Sequence, residues 1–253
     1  MFFYRFPGVT RLDSFFLPPQ AWSPPFRLEG DEARHLAKVL RLKPGAIIRC
    51  FDGAGREGDF RVSAVKNAVE LEALQIRELA RPSPQTWLGL GWNKSTRRGW
   101  LLEKAVELGA AGIIFWQAEH SQGSMPDAPK ESWQAQLVAG AKQCHNPWLP
   151  ELRMAAKGLS GLLDMADNFK ERWLLWESPE VARGLDMADL SGPGDRLFVL
   201  GPEGGLSQEE AEKLQYSGFT AVTLGPRALR WETAALLCLG LAWWAGLEVK
   251  CRP

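Results

Sequence analysis

From Thr86 onward, short unbroken apolar runs alternate with stretches in which apolar residues recur every three or four positions. The runs TWLGLGW (86–92), GIIFWQ (112–117), RWLLWE (172–177), RLFVL (196–200) and TAVTL (220–224) are too short for helices and show little polar alternation. Strands buried on both faces read this way. Helices are predicted over 97–108, near 131–143, over 207–216 and from Trp231 to Gly246, with a further short strand near Leu152. This alternation predicts an α/β fold: a mostly parallel sheet with helices on both faces. The terminal helix has almost no polar face, so it has to be covered on all sides.

The first 80 residues have a different pattern. Pro and Gly punctuate β-type runs such as AIIRCF (46–51) and DFRVSAV (59–65), with one helix predicted over 31–41. Asp31 is placed to cap that helix, and Ala33, Leu36, Ala37 and Leu40 give it an apolar stripe. A small β-rich domain is expected here. Pro82 and Pro84 interrupt both regular elements and mark a linker, which divides the chain into domains 1–80 and 81–253.

Composition adds little until it is divided. The chain has 30 basic and 30 acidic residues, 45% hydrophobic and 24% charged, as soluble globular proteins do. Residues 1–66 hold 11 basic and 7 acidic side chains, so the amino-terminal part is at +4 and the remainder at −4. A basic module on an acidic body suits an anionic partner such as nucleic acid. The four cysteines have no paired spacing and only three histidines could join them, so no metal site is expected and the thiols read as reduced. The start lacks a signal-peptide core, and the apolar stretch 233–247 falls short of the roughly 20 residues that span a bilayer. A cytoplasmic chain without a membrane segment is expected.

Two motifs are set aside on context. Gly53, Gly55 and Gly58 satisfy G-x-G-x-x-G, but a strand-like run follows where a dinucleotide site requires a helix, so a hairpin turn is expected. Cys144 and His145 are chain neighbours, whose side chains rarely face each other, and no third group orients them. The 12 tryptophans read mainly as core or subunit-interface residues, Trp243 and Trp244 as residues buried against a partner chain. What remains is a pair of Gly-Pro loops, LGPEGGLSQEE after RLFVL and LGPRALRWET after TAVTL. Loops at the carboxyl ends of parallel strands are where open α/β sheets bind ligands. Ser207 and Glu210 have capping-box spacing and sharpen the helix start after the first loop.

These residues resemble the RsmE family of the SPOUT superfamily. The likeness rests on Gly201-Pro-Glu-Gly-Gly205 with Glu209 and Glu210, on Leu224-Gly225, on Ala228-Leu-Arg-Trp-Glu-Thr-Ala234, and upstream on Glu103-Lys-Ala-Val-Glu-Leu-Gly109. Arg5-Phe6 and the stretch from His35 to Gly45 are similar to the family's amino-terminal RNA-binding region. The resemblance implies a PUA-like β-barrel followed by a SPOUT domain whose carboxyl-terminal part forms a trefoil knot. It implies transfer of a methyl group from S-adenosylmethionine to N3 of a uridine in small-subunit ribosomal RNA, by a homodimer that needs no metal.

On this reading Leu200, Gly201, Pro202, Gly204, Gly205, Leu224, Gly225 and Leu229 hold the donor, since glycines let backbone approach a ligand closely. Arg230 orients and polarises the uracil, because a guanidinium fork stabilises the planar anion left when N3 loses its proton. Glu203 accepts that proton or orders its loop, and an ion pair of Arg230 with Glu203 or Glu232 is the structural alternative. Arg5, Arg34, Lys38, Arg41 and Arg97 are the expected RNA-binding residues. The chain departs from the family pattern at three places: His120 and Asn146 stand where arginines are usual, and Trp231 stands where a small polar residue is common. The two missing arginines leave a non-catalytic RNA-binding or ribosome-assembly protein as the alternative.

Overall fold

The computed structural model describes residues 12–178, 181 and 183–251, with only the backbone for 248–251. The chain divides into two compact units, one comprising Met1–Arg81 with Lys142–Trp148 and the other Pro82–Ala141 with Leu149–Pro253.

In the first unit, β1 (Ser14–Phe16), β2 (Phe26–Leu28), β3 (Ile47–Phe51), β4 (Arg56–Val65) and β5 (Val69–Glu78) form one mixed sheet in the order β1-β3-β4-β5-β2. Only the β1–β3 pair is parallel. Alternation sorts its two faces. Phe15, Ile48, Cys50, Phe60, Val62 and Leu71 enter one apolar core, whereas Arg61 and Glu72 (2.9 Å) and Arg77 with Glu57 (3.3 Å) and Asp59 (3.4 Å) form ion pairs across neighbouring strands. The G-x-G-x-x-G stretch is the β3–β4 turn. Asp52 Oδ1 accepts N–H bonds from Ala54 (2.7 Å) and Arg56 (2.9 Å), while Gly53 and Gly55 take the positive φ values 78° and 99°.

The helix expected over 31–41 is two structures joined end to end: α1 (Gly30–Arg34) and a π-helical turn, His35–Leu40, closed by Arg41 at φ 55°. Its cap position is Glu29, not Asp31. Asp31 lies inside the first turn and pairs with Arg34 at 2.6 Å. Ala33 and Leu36 are buried as the periodicity predicted.

Segment 142–148 completes this unit. Lys142 pairs with Glu32 (2.9 Å), Ser14 Oγ lies 2.9 Å from His145 Nδ1, and the Trp148 ring fills the space a side chain at Gly55 would need. His145 is therefore engaged structurally, at φ 58°.

The second unit holds six parallel strands in the order β11-β9-β10-β6-β7-β8. They are β6 (Thr86–Gly91), β7 (Gly112–Trp116), β8 (Glu151–Ala155), β9 (Glu171–Leu175), β10 (Arg196–Leu200) and β11 (Thr220–Val222). The connecting helices are α2 (Arg98–Glu107), α3 (Glu131–Cys144), α4 (Leu159–Ala166), α5 (Gln208–Tyr216) and α6 (Trp231–Cys251). One sheet face, with Trp87, Ile114, Trp116, Leu197 and Val199, packs on Leu162 and Ala166 of α4 and Leu214 of α5. The alternate positions Leu88, Leu90, Phe115, Phe198 and Leu200 are buried on the other face. Helix α4 was not expected, and it depends on Gly161, where a Cβ would come 1.7 Å from the Ala156 carbonyl oxygen.

Candidate active site

Strands β11, β9 and β10 are neighbours, so the loops leaving their carboxyl ends meet. They enclose a cavity of about 360 Å³, within the range that holds a drug-sized ligand. The β10 loop contributes Leu200 through Leu206, and the β11 loop contributes Leu224, Gly225, Arg227 and Leu229. The structure thus brings Leu200, Gly201, Pro202, Gly204, Gly205, Leu224, Gly225 and Leu229 to one cavity. Glu203 also lines it and is exposed.

Three features shape the β10 loop. Pro202 packs on the end of β6, where a Cβ at Gly91 would come 2.4 Å from the Pro202 nitrogen. Gly205 has φ 75° and donates to the Pro202 carbonyl at 2.9 Å. The capping box then starts α5: Ser207 Oγ accepts the Glu210 N–H and Glu210 Oε2 accepts the Ser207 N–H at 3.1 Å. Glu210 Oε1 also takes the Glu119 N–H at 2.8 Å, so this carboxylate ties the loop after β7 to the loop after β10. His120 makes the second tie, its Nδ1 lying 3.2 Å from the Gly204 carbonyl oxygen. For that bond Nδ1 must carry the proton.

The third wall was missed in the sequence. Leu175, Trp176 and Glu177 follow β9 and line the cavity; Glu177 Oε1 accepts the Leu229 N–H at 3.3 Å, linking this loop to the β11 loop. Trp231, the first residue of α6, closes the cavity while only 5% exposed. RWLLWE was legible as a strand, but no glycine marked its loop, and nothing local says that β9 lies between β10 and β11.

Arg230 is exposed and is not among the cavity-lining residues, though Leu229 and Trp231 on either side are. Neither ion pair considered for it forms among the described residues. Glu232, 3% exposed, pairs instead with Arg97 at 3.3 Å, so Arg97 already has a buried carboxylate partner. Arg34, Lys38 and Arg41 are exposed on the α1–π-turn stretch. Arg5 lies outside the described residues.

The site suits a donor with an apolar ring and a charged tail. A Cβ at Gly201 or Gly204 would come 2.9 Å from Leu206 or His120, so glycine lets the loop pack against these two residues. Leu200 and Val222 line it as buried apolar residues, and Glu203, Gly204 and Arg227 line it as exposed ones. No group of His, Cys, Asp and Glu that could hold a metal occurs among the described residues, and no helix there is long and apolar enough to cross a membrane.

Residues 81–243 match the RNA methyltransferase domain family. The chain belongs to that family. Residues 28–74 match the RNA methyltransferase PUA domain, in keeping with the mixed sheet of the first unit. Curated relatives in the family include ribosomal RNA small subunit methyltransferase E of Bacillus subtilis, 28% identical over 86% of this chain and 89% of that protein. The enzyme of the same name from Mycobacterium bovis is also 28% identical, over 84% of each chain. Solved structures of family character superpose over most of the length. A putative methyltransferase from Legionella pneumophila, in complex with SAM, has TM-score 0.81 at 27% identity and covers 93% of this chain and 98% of its own. Ribosomal RNA small subunit methyltransferase E from Neisseria gonorrhoeae, bound to S-adenosyl methionine, has TM-score 0.75 at 28% identity over 90% and 95%.

Proposed function

We propose that this chain methylates N3 of a uridine in small-subunit ribosomal RNA, using S-adenosylmethionine bound in the cavity at the ends of β9, β10 and β11. The observation that carries this reading is the convergence of both Gly-Pro loops on one cavity in a chain whose curated relatives are named small-subunit ribosomal RNA methyltransferases. Bound there, the donor supplies an electrophilic methyl group on a sulfonium sulfur. The protein positions the two reactants and stabilises charge.

Gly201, Gly204, Gly205 and Gly225 allow backbone groups to reach the donor, and Leu200, Leu224 and Leu229 give it an apolar slot. Arg230, exposed beside two cavity residues, receives the uracil and stabilises the negative charge on its carbonyl oxygens as the N3 proton departs. Glu203, exposed on the cavity wall, is the candidate acceptor of that proton. The N3–C bond then forms as the S–C bond breaks, leaving S-adenosylhomocysteine.

The same reading assigns Arg5, Arg34, Lys38 and Arg41 to the RNA phosphates, with Arg97 shared between RNA and Glu232. It also gives the carboxyl-terminal stretch a trefoil knot, the protein a cytoplasmic location, and the active form two copies of the chain. Incubation with methyl-labelled S-adenosylmethionine and small ribosomal subunits tests the activity. Label at N3 of one uridine is expected; donor binding without transfer to small-subunit RNA would refute it.

A further inference from the structure

The cavity at the ends of β9, β10 and β11 carries an unbalanced set of charges. The charged residues that line it are Glu177, Glu203 and Arg227, two carboxylates against one guanidinium, and all three are exposed. None of them is paired with an opposite charge among the described residues. The lining therefore has one negative charge in excess.

The methyl donor has the opposite excess. S-adenosylmethionine carries a carboxylate, an ammonium and a sulfonium, so it is a net cation whose charges complement the three of the cavity one for one. Methyl transfer turns the sulfonium into a neutral thioether, and S-adenosylhomocysteine has no net charge. Contacts with the adenosine and amino-acid parts are common to donor and product. A carboxylate on the cavity wall is not neutral between them, because Coulomb attraction favours the ligand with the additional positive charge.

Of the two carboxylates, Glu177 is the one held in place. Its Oε1 accepts the Leu229 N–H at 3.3 Å, and Leu229 itself lines the cavity, so the carboxylate lies where the β9 and β11 loops meet. Its second oxygen has no protein partner among the described residues. We infer that Glu177 is a specificity residue that discriminates the sulfonium donor from its thioether product, holding the first and releasing the second. This deepens the donor-site reading above and rests on it.

Calorimetry on the full chain tests it by comparing wild type with Glu177→Gln, whose amide oxygen still accepts the Leu229 N–H. The probes are S-adenosylmethionine, S-adenosylhomocysteine and sinefungin, which has a protonated amine on carbon in place of the sulfonium. Affinity of the variant for S-adenosylmethionine and sinefungin is expected to fall about fivefold, the size of an exposed charge pair, while that for S-adenosylhomocysteine stays within about twofold. An equal fall for all three ligands would mean that Glu177 only shapes its loop, and would overturn the inference. So would an unchanged ratio of donor to product affinity.

Should Glu177→Gln not fold, wild type alone decides. Raising the salt from about 0.05 M to about 0.5 M screens an exposed carboxylate, so the ratio of donor to product affinity must fall. A ratio that does not change with salt overturns the inference. Failure of wild type to bind any of the three ligands would count against the donor site itself, and is thereby distinct from failure of the Glu177 assignment.

Discussion

Single side chains divide the work of this site. Arg230 has no carboxylate partner among the described residues and is exposed directly before α6, between two cavity-lining residues, which leaves its guanidinium available for the uracil anion of the proposed reaction. Arg230→Ala is expected to lower turnover by about 100-fold or more while donor affinity by calorimetry stays within a few-fold. Equal loss of folding and turnover would make the residue structural. Cys50 and Cys238 illustrate the opposite case. Burial pushes both thiols far above the usual range, with the Glu32 carboxylate adding to the effect at Cys50. A thiol that keeps its proton longer in the folded state contributes stability that is full below the unfolded pKa, about 8.5, and is lost as pH rises past it. Unfolding free energy in urea should therefore fall above that pH, each thiol adding a slope approaching ~1.4 kcal/mol per pH unit. Cys238→Ala should flatten the curve.

At the scale of elements, the site is a property of strand ends. Gly91 terminates β6 directly under Pro202, and the missing Cβ is what lets the β10 loop settle there. Gly91→Ala should displace that loop and weaken donor binding by about tenfold or more, whereas Gly246→Ala, with nothing within 4 Å of the added carbon, should leave it unchanged. Calorimetry distinguishes the two. Much of this was legible in the sequence: apolar runs gave β6, β7, β9, β10 and β11, and the Gly-Pro pairs marked two of the three walls. What was not legible depends on non-local geometry. The Glu177 wall follows from strand order, His120 reaches Gly204 through folding, and α4 requires a close approach at Gly161 that a glycine in the sequence does not announce. In α1 the helix starts at Gly30, ahead of the expected cap, so Asp31 falls inside the first turn and its carboxylate pairs with Arg34.

At the scale of the whole molecule, α6 presents an exposed apolar stripe among the described residues. On α6, Leu237, Trp244 and Leu247 recur at helical spacing with Trp243 beside them, all 37–54% exposed, and Trp100 of the contacting helix α2 is 48% exposed. Gly240 falls on the same stripe with open space around it, so a facing helix can approach closely. An exposed stripe of this kind is the surface a second copy would cover. Trp243→Glu with Trp244→Glu is expected to give a monomer in light scattering, against a wild-type dimer at micromolar concentration.

The return of Lys142–Trp148 to the first unit affects how such a protein can be inherited. A module spelled by one uninterrupted stretch can be copied from gene to gene and arrive whole. Here the first unit takes Glu32's partner, the contact for Ser14 and the ring against Gly55 from a segment encoded some sixty residues downstream. A cut at residue 80 would carry away an unfinished unit. The two units are spliced rather than strung in series, so recombination must move both together, and each must evolve in the company of the other.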